Sequence, residues 1–276
     1  MTAKRELMRH PDVLAFKVLG RAKRWFDRPM SWLELRDHTL RPGQTLTRYE
    51  RMAAREVAFC LMGATDVVVY DVGASTGTYA RAMAKMASVE HVYAFEPILG
   101  VFETLQERSS DLGNITCINL ALGNENGTAI FNLNDASASS SMLPSLPDLS
   151  RRFPRTASVR EIPVAVRRLD DLRKELRLPL PFLVKMDVQG FEDRVIEGGG
   201  ETFAAATWVL SEMSAGQLYK GSAVFDDTYQ QLKAIGFAFA GFTEQLNSED
   251  GEPLEANVLF RRASVLRYPA AGGPGR

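Results

Sequence analysis

The sequence predicts an α/β protein. A mostly parallel sheet carries helices on both faces, ends in an antiparallel hairpin and is preceded by a helical extension. Three observations carry this reading. From residue 66, short β-rich runs alternate with stretches of helical periodicity. The runs are continuously apolar, as in VVVYDV (67–72) and FLVKMD (182–187), the pattern of strands buried on both faces. The last two runs, GFAFAGF (236–242) and ANVLFR (256–261), lie so close in sequence that a hairpin joins them better than a crossover.

The elements follow in order. Residues 1–62 read as a basic helical extension or lid, broken near Pro29 and at RPGQ (41–44). Within it Val13, Leu14, Phe16, Val18, Leu19 and Trp25 form a partial helical stripe with basic residues between. Its surface suits packing on the body, a dimer contact through Trp25 and Trp32, or weak contact with an anionic membrane surface. Residues 63–262 form the main domain. Strands are expected at 67–72, 91–96, 115–120, 182–187, 207–212, 236–242 and 256–261, and helices at 77–87, 98–112, 168–177, 190–197 and 224–235. Between 123 and 168 the alternation lapses. GTAIFNLN and REIPVAVRRL read as antiparallel strands flanking a Ser- and Pro-rich loop. The tail, 263–276, reads as disordered.

The totals exclude several classes. With 33 Lys and Arg against 34 Asp and Glu, the net charge is -1, which gives no electrostatic case for nucleic acid. The distribution is uneven: residues 1–55 hold 13 basic and 6 acidic side chains, and the remainder 20 and 28. The two cysteines, Cys60 and Cys117, have no metal or disulfide spacing and read as reduced core residues of a cytoplasmic protein. No stretch approaches the ~20 apolar residues of a membrane span.

The first strand runs into DVGASTG (71–77), with Gly73 and Gly77 four apart before a helical stretch. A helix N-terminus offers unpaired N–H groups and partial positive charge, and glycine lets a ligand approach the backbone. Asp71, at the strand end, can accept from a cationic amine or from loop amides. The spacing is G-x-x-x-G, not the G-x-G-x-x-G of a dinucleotide site. VYAFEP ends with Glu96 some twenty residues on, where an acid can take both ribose hydroxyls.

DVGASTGTYA, VYAFEP, INLALGNENGTAIFNL, the serine run ASSSM, VRRLDDL and FLVKMDVQGFEDRVIEGG follow one another in order. As a set, over residues 66 to 262, they resemble the FkbM family of S-adenosylmethionine-dependent methyltransferases. Ser75 stands where that family usually has Asn, and Gln189 where it has Glu. The resemblance implies a Rossmann-like class I methyltransferase sheet and O-methylation of a hydroxyl on a carbohydrate, glycolipid or secondary metabolite. It implies that Asp71, Gly73, Ala74, Ser75 and Gly77 hold the methionine portion of the donor and Glu96 its ribose. Pro97, Leu120 and Ala121 would line the adenine slot. The serine run, Ser139, Ser140 and Ser141, would hydrogen-bond a polyol acceptor.

The expected catalytic residues come from the strand ends. Lys185 and Asp187 share one face of their strand, Glu212 ends the next, and Glu192 opens the following helix beside the substrate. Transfer to a hydroxyl needs a base. Of His10, His38 and His91, the last begins a strand at the remote end and the others lie in the extension. Unless His38 folds over the site, the base is expected to be a carboxylate or Lys, with Asp187 first and Glu212 second. Lys185 would orient Asp187 or lose its own proton through burial. Asp187 and Glu212 also leave a divalent cation open as an alternative, although no ligand spacing signals one. Three rival functions stand beside this reading. The missing third glycine argues against a nicotinamide-dependent oxidoreductase, the intact Asp71, Gly73, Gly77 and Glu96 argue against decay to a non-catalytic cofactor-binding protein, and the net charge argues against a nucleic-acid methyltransferase.

Overall fold

A computed structural model of the chain describes residues 40–134, 139–153, 156, 159–248 and 251–265. The stripe from Val13 to Trp25, Trp32, His10, His38 and most of the tail lie outside the described residues.

Seven strands form one sheet: β1 (Val67–Val72), β2 (Val89–Phe95), β3 (Ile115–Ile118), β7 (Leu183–Met186), β8 (Trp208–Ser214), β9 (Phe237–Asn247) and β10 (Pro253–Arg262). Their order is β3-β2-β1-β7-β8-β10-β9. The five strands from β3 to β8 pair in parallel, and β10 pairs antiparallel with both β8 and β9. Both the parallel body and the closing hairpin match the sequence expectation. A second sheet, β4-β6-β5, is built from β4 (Ala121–Leu122), β5 (Gly127–Asn134) and β6 (Val159–Arg167). The β5/β6 pair is the expected antiparallel one.

The all-apolar strands are explained by two cores. Alternate residues of β1 go to opposite faces: Val67 and Val69 to one, Val68, Tyr70 and Val72 to the other. The first face is covered by α1 (Arg48–Leu61), α2 (Thr78–Ala84) and α3 (Leu99–Ser109), through Ala54, Val57, Met83 and Leu105. The second is covered by α5 (Leu169–Leu176), α6 (Glu192–Gly198), α7 (Gly200–Ala205) and α8 (Phe225–Ala234), through Leu172, Ile196, Phe203 and Leu232. Helix α1 is thus part of the sheet's covering layer. It starts at a capping box, with the Glu50 amide donating to Thr47 Oγ1 (3.3 Å) and the Thr47 amide to Glu50 Oε2 (2.7 Å). Glu50 also pairs with Lys85 of the loop after α2 at 2.9 Å and with Arg81 at 3.0 Å, which pins α1 to its neighbour.

Three expectations need correction. The Ser- and Pro-rich segment contains a short helix, α4 (Pro147–Arg152), begun by the proline at its first position and invisible to composition alone. Helix α7 continues the layer after Gly199, where glycines had masked the helical pattern. β2 begins at Val89, so His91 is inside the strand, where its Nε2 lies 2.8 Å from Thr116 Oγ1. It remains away from the carboxyl ends. Cys60 is buried, Cys117 partly so, and both are free thiols. Among the described residues no helix is long and apolar enough to cross a membrane.

Candidate functional site

The strand order reverses at β1, with β2 and β3 on one side and β7 and β8 on the other. That switch point is where open α/β sheets leave a crevice beyond the carboxyl ends. A cleft of about 680 Å³, partly open to solvent, lies there. Its walls include Gly73, Ser75, Glu96, Pro97, Leu120, Ala121, Ser140 and Asp187. Six of the nine residues expected to hold the donor therefore line one cleft.

The other three, Asp71, Ala74 and Gly77, are placed behind its wall. Asp71 is fully buried in β1, and neither carboxylate oxygen has a hydrogen-bond partner; the nearest cation is Lys185 Nζ, 3.5 Å from Oδ1. Burial pushes the Asp71 carboxyl above the usual range, against the pull of Lys185. Ala74 packs into the first core. Gly77 has φ 83°, in the left-handed region that favours glycine, and a Cβ there would also press on Leu105 Cδ1 at 2.6 Å.

Gly73 receives a different explanation from the expected one. At φ 73°, a Cβ would lie 1.9 Å from the Asp187 carbonyl oxygen. This close approach is between the ends of β1 and β7. The loop amides are also occupied. Gly73 and Ala74 donate to the Phe95 carbonyl (3.1 and 2.9 Å), Ser75 to Glu96 Oε2 (3.0 Å) and Gly77 to the Ala74 carbonyl (2.9 Å). The loop holds Glu96 and the strand ends, rather than offering these four N–H groups to a carboxylate.

Glu96 is nearly buried, and its Oε1 accepts from the Ile98 amide at 2.9 Å. Burial raises its carboxyl to about 7, despite those backbone donors. Asn119 clasps the same corner, donating to the carbonyls of Glu96 (2.8 Å) and Pro97 (3.0 Å). Beyond it the cleft is apolar, walled by Ile98, Val101, Phe131 and Met142. Phe131 and Met142 come from the inserted sheet and the segment beside it. Their part in the wall is long-range and had no sequence signal.

At the β7 end, Lys185 Nζ lies 3.4 Å from Asp187 Oδ2, donates to the Gly73 carbonyl (3.2 Å) and sits over the Tyr79 ring (4.9 Å). Burial alone would lower its pKa, but Asp187, Asp71 and Glu212 raise it. Lys185 is therefore an ammonium held inside the wall. The expectation that burial strips its proton is overturned by the three carboxylates around it. Asp187 has a side chain 32% exposed and opens onto the cleft. Burial raises its carboxyl, yet Lys185 and the Gln189 amide outweigh this and hold it below the ordinary range. Glu212 goes the other way, pushed well up first by the Asp187 charge and then by burial. Of the pair, Glu212 holds a proton more tightly than Asp187 does.

Between them lies Gln189, whose Nε2 donates to Asp187 Oδ1 (2.9 Å) and Glu212 Oε2 (2.6 Å). Glu192 points inward: its Oε1 accepts from the Val188 and Gly190 amides (3.1 and 3.3 Å), so it staples the turn and lines neither hollow described here. Of the serine run, Ser140 alone reaches the cleft, and its Oγ accepts from the Asn134 amide at 3.0 Å. Ser141 Oγ donates to the Gln189 carbonyl at 2.7 Å, and Ser139 offers its carbonyl to Asn134 Nδ2 at 2.8 Å. The run joins the inserted sheet to the turn after β7. A second hollow of about 510 Å³ opens on the other side of Glu212, lined also by Glu244, Gln245, Glu255 and Asn257. Among the described residues no three His, Cys, Asp or Glu side chains are arranged to hold a metal ion.

Comparison with known proteins agrees with this layout. The sequence matches the methyltransferase FkbM domain over residues 71–239. It is 28% identical over 211 residues to the 2-O-methyltransferase NoeI of Sinorhizobium fredii, an alignment covering 74% of this chain and 83% of that one. It is 30% identical over 151 residues to the hexuronic acid methyltransferase AglP of Haloferax volcanii, covering 55% and 57%. A crystal structure of an FkbM methyltransferase from Methylobacillus flagellatus KT aligns with 85% of this chain and 58% of its own, at 15% identity and a TM-score of 0.45. The chain thus spans a little over half the length of the latter two. With residues 71–239 inside the domain match and the cleft built from that same stretch, the chain belongs to the FkbM methyltransferase family.

Proposed function

We propose that the chain transfers a methyl group from S-adenosylmethionine to a hydroxyl of a carbohydrate or related metabolite. The observation that carries this is one cleft, at the switch point of the sheet, with two unlike carboxylates on its wall. Glu96 is nearly buried beside an apolar slot; Asp187 is ionised and partly exposed. The apolar slot formed by Pro97, Ile98, Val101, Leu120 and Phe131 suits adenine, and Glu96 has lone pairs left for the two ribose hydroxyls. Bound S-adenosylmethionine supplies a methyl on a sulfonium, so the chain has only to orient an oxygen nucleophile and take its proton. Asp187 is the acceptor for that proton, and Lys185 and Gln189 hold its carboxylate in place.

The acceptor class is supported by the relatives' names, one of which specifies a 2-O position and the other a hexuronic acid. The hollow beyond Glu212 offers carboxylates and amides to hydroxyl groups. Its carboxyl groups favour hydroxyl and amino partners over another carboxylate, so a neutral or amino sugar fits this chain better than a uronate. The free thiols and the absence of a spanning helix among the described residues are compatible with a cytoplasmic location. Family membership sets aside the nicotinamide-dependent alternative.

Calorimetric titration with S-adenosylhomocysteine, with NAD in parallel, tests the donor assignment. Micromolar binding of the first alone is expected. Binding of NAD alone, or of neither, would overturn it.

A further inference from the structure

We infer that Gln189 is a positioning residue for proton removal: its side-chain amide joins Asp187 and Glu212 into one unit, and its backbone carbonyl ties the same turn to the serine run beside the inserted sheet. The inference rests on the reading of the cleft as a methyl-transfer site.

The geometry is specific. Gln189 has φ 54°, in the left-handed region that residues with a Cβ seldom enter, and Gly190 follows at φ 89°. The surrounding bonds hold it there. Its two amide hydrogens go to two carboxylates, Asp187 Oδ1 and Glu212 Oε2. Its Oε1 lies 2.9 Å from the Tyr219 hydroxyl, which also lies 2.8 Å from the Ser139 carbonyl and donates to one of the two at a time. Its own carbonyl accepts from Ser141 Oγ. The side chain thereby connects the end of β7, the end of β8 and the loop after β8, and the backbone carbonyl adds the segment beside the inserted sheet.

Charge explains why the clamp is an amide. The groups facing Asp187 and Glu212 are Lys185 on β7, Asp71 on β1, Glu255 on β10, Glu192 on α6, Tyr79 on α2 and Tyr219 in the loop after β8. One ammonium already serves several carboxylates. A neutral group with two N–H donors binds two of them without adding a charge. It also occupies Oδ1 of Asp187 while leaving the carboxylate open to the cleft, so the base keeps both its orientation and its ionised form.

The test compares Gln189→Glu, which has the same shape but gains a charge and loses both donors, with Gln189→Met, which loses the donors alone. Three quantities are measured in the full chain: S-adenosylhomocysteine affinity, kcat across the pH range, and the ¹³C titration of the Asp187 carboxyl, assigned with Asp187→Asn. Affinity is expected to stay within about threefold in both variants. Turnover in Gln189→Met falls by roughly 10–100-fold at every pH, the scale of a displaced general base. In Gln189→Glu the deficit grows as pH rises and the third carboxylate ionises. The Asp187 titration moves upward in both. This last readout needs no acceptor: if the wild type binds the donor product but transfers nothing, the methyl-transfer reading fails while the Gln189 assignment is still decided. Wild-type kcat and an unshifted Asp187 titration in either variant would overturn the inference. So would a loss of donor-product affinity in Gln189→Met equal to its loss of turnover. If Gln189→Glu does not fold, Gln189→Met decides alone.

Discussion

In the proposed site, Glu96 is the residue that would hold the donor's ribose. Its inner lone pairs are taken by the Ser75 and Ile98 amides, which aim the outer ones at the cleft. Glu96→Ala should weaken S-adenosylhomocysteine binding by about 1.5–3 kcal/mol, roughly 10–150-fold, as for hydrogen bonds to a charged group. The carboxyl sits at about 7 in the free protein, raised by burial. Only the ionised form accepts from two hydroxyls, so wild-type affinity should weaken as pH falls below about 7, and Glu96→Gln should flatten that slope. Calorimetry at several pH values checks both; a wild-type affinity independent of pH would count against Glu96 as the ribose ligand. The acid at this strand end was readable from the sequence because spacing from the glycine loop is a local signal. Gln189 was not. Sequence places it two residues from Asp187, but only the β7/β8 pairing brings Glu212 to its amide.

At the scale of elements, two buried glutamates serve as structural ties with opposite pH behaviour. Burial raises Glu192, in the turn between β7 and α6, to about 7 from an unfolded value near 4.5. The folded state holds that proton more tightly, so this contribution to stability is full below about pH 4.5 and is lost as pH rises through 7. Glu192→Gln keeps the acceptor oxygen and removes the titration. Its melting temperature should therefore fall less than the wild type's between about pH 4.5 and 7; parallel thermal-melt curves would refute the role. For Glu50, burial opposes ionisation, but Lys85 and the Thr47 amide prevail and hold it down to about 2. Its contribution is present above about pH 4.5 and lost as pH falls toward 2. Glu50→Ala leaves Lys85 buried without its carboxylate and breaks the cap of α1, so a loss of about 3–5 kcal/mol is expected in denaturant unfolding at neutral pH. A loss under about 1 kcal/mol would mean that α1 is pinned by its apolar face alone. The capping box spans only Thr47 to Glu50, a local pattern that the reading of 1–62 as an extension passed over; its tie to Lys85 joins residues 35 apart and leaves no local mark.

Across the whole molecule, periodicity revealed the sheet and the hairpin because buried strands and amphipathic helices leave local marks. The loop glycines were equally visible, yet their reasons are long-range: Gly73 yields to the Asp187 carbonyl and Gly77 to Leu105. The inserted sheet supplies an apolar wall of the cleft, a role that no local pattern encodes. What these parts make together is a cleft lined by Glu96 and Asp187 and an acidic hollow lined by Glu212, linked through Gln189. The most direct measurement is transfer of an isotopically labelled methyl from S-adenosylmethionine to a panel of neutral, amino and uronic sugars, with the product's linkage determined by mass spectrometry and alkali treatment. An alkali-stable ether on a sugar oxygen is expected. In Asp187→Asn the yield should fall by about 100-fold or more, with donor binding intact. Label recovered as an alkali-labile ester or on nitrogen, or undiminished transfer by Asp187→Asn, would contradict the account.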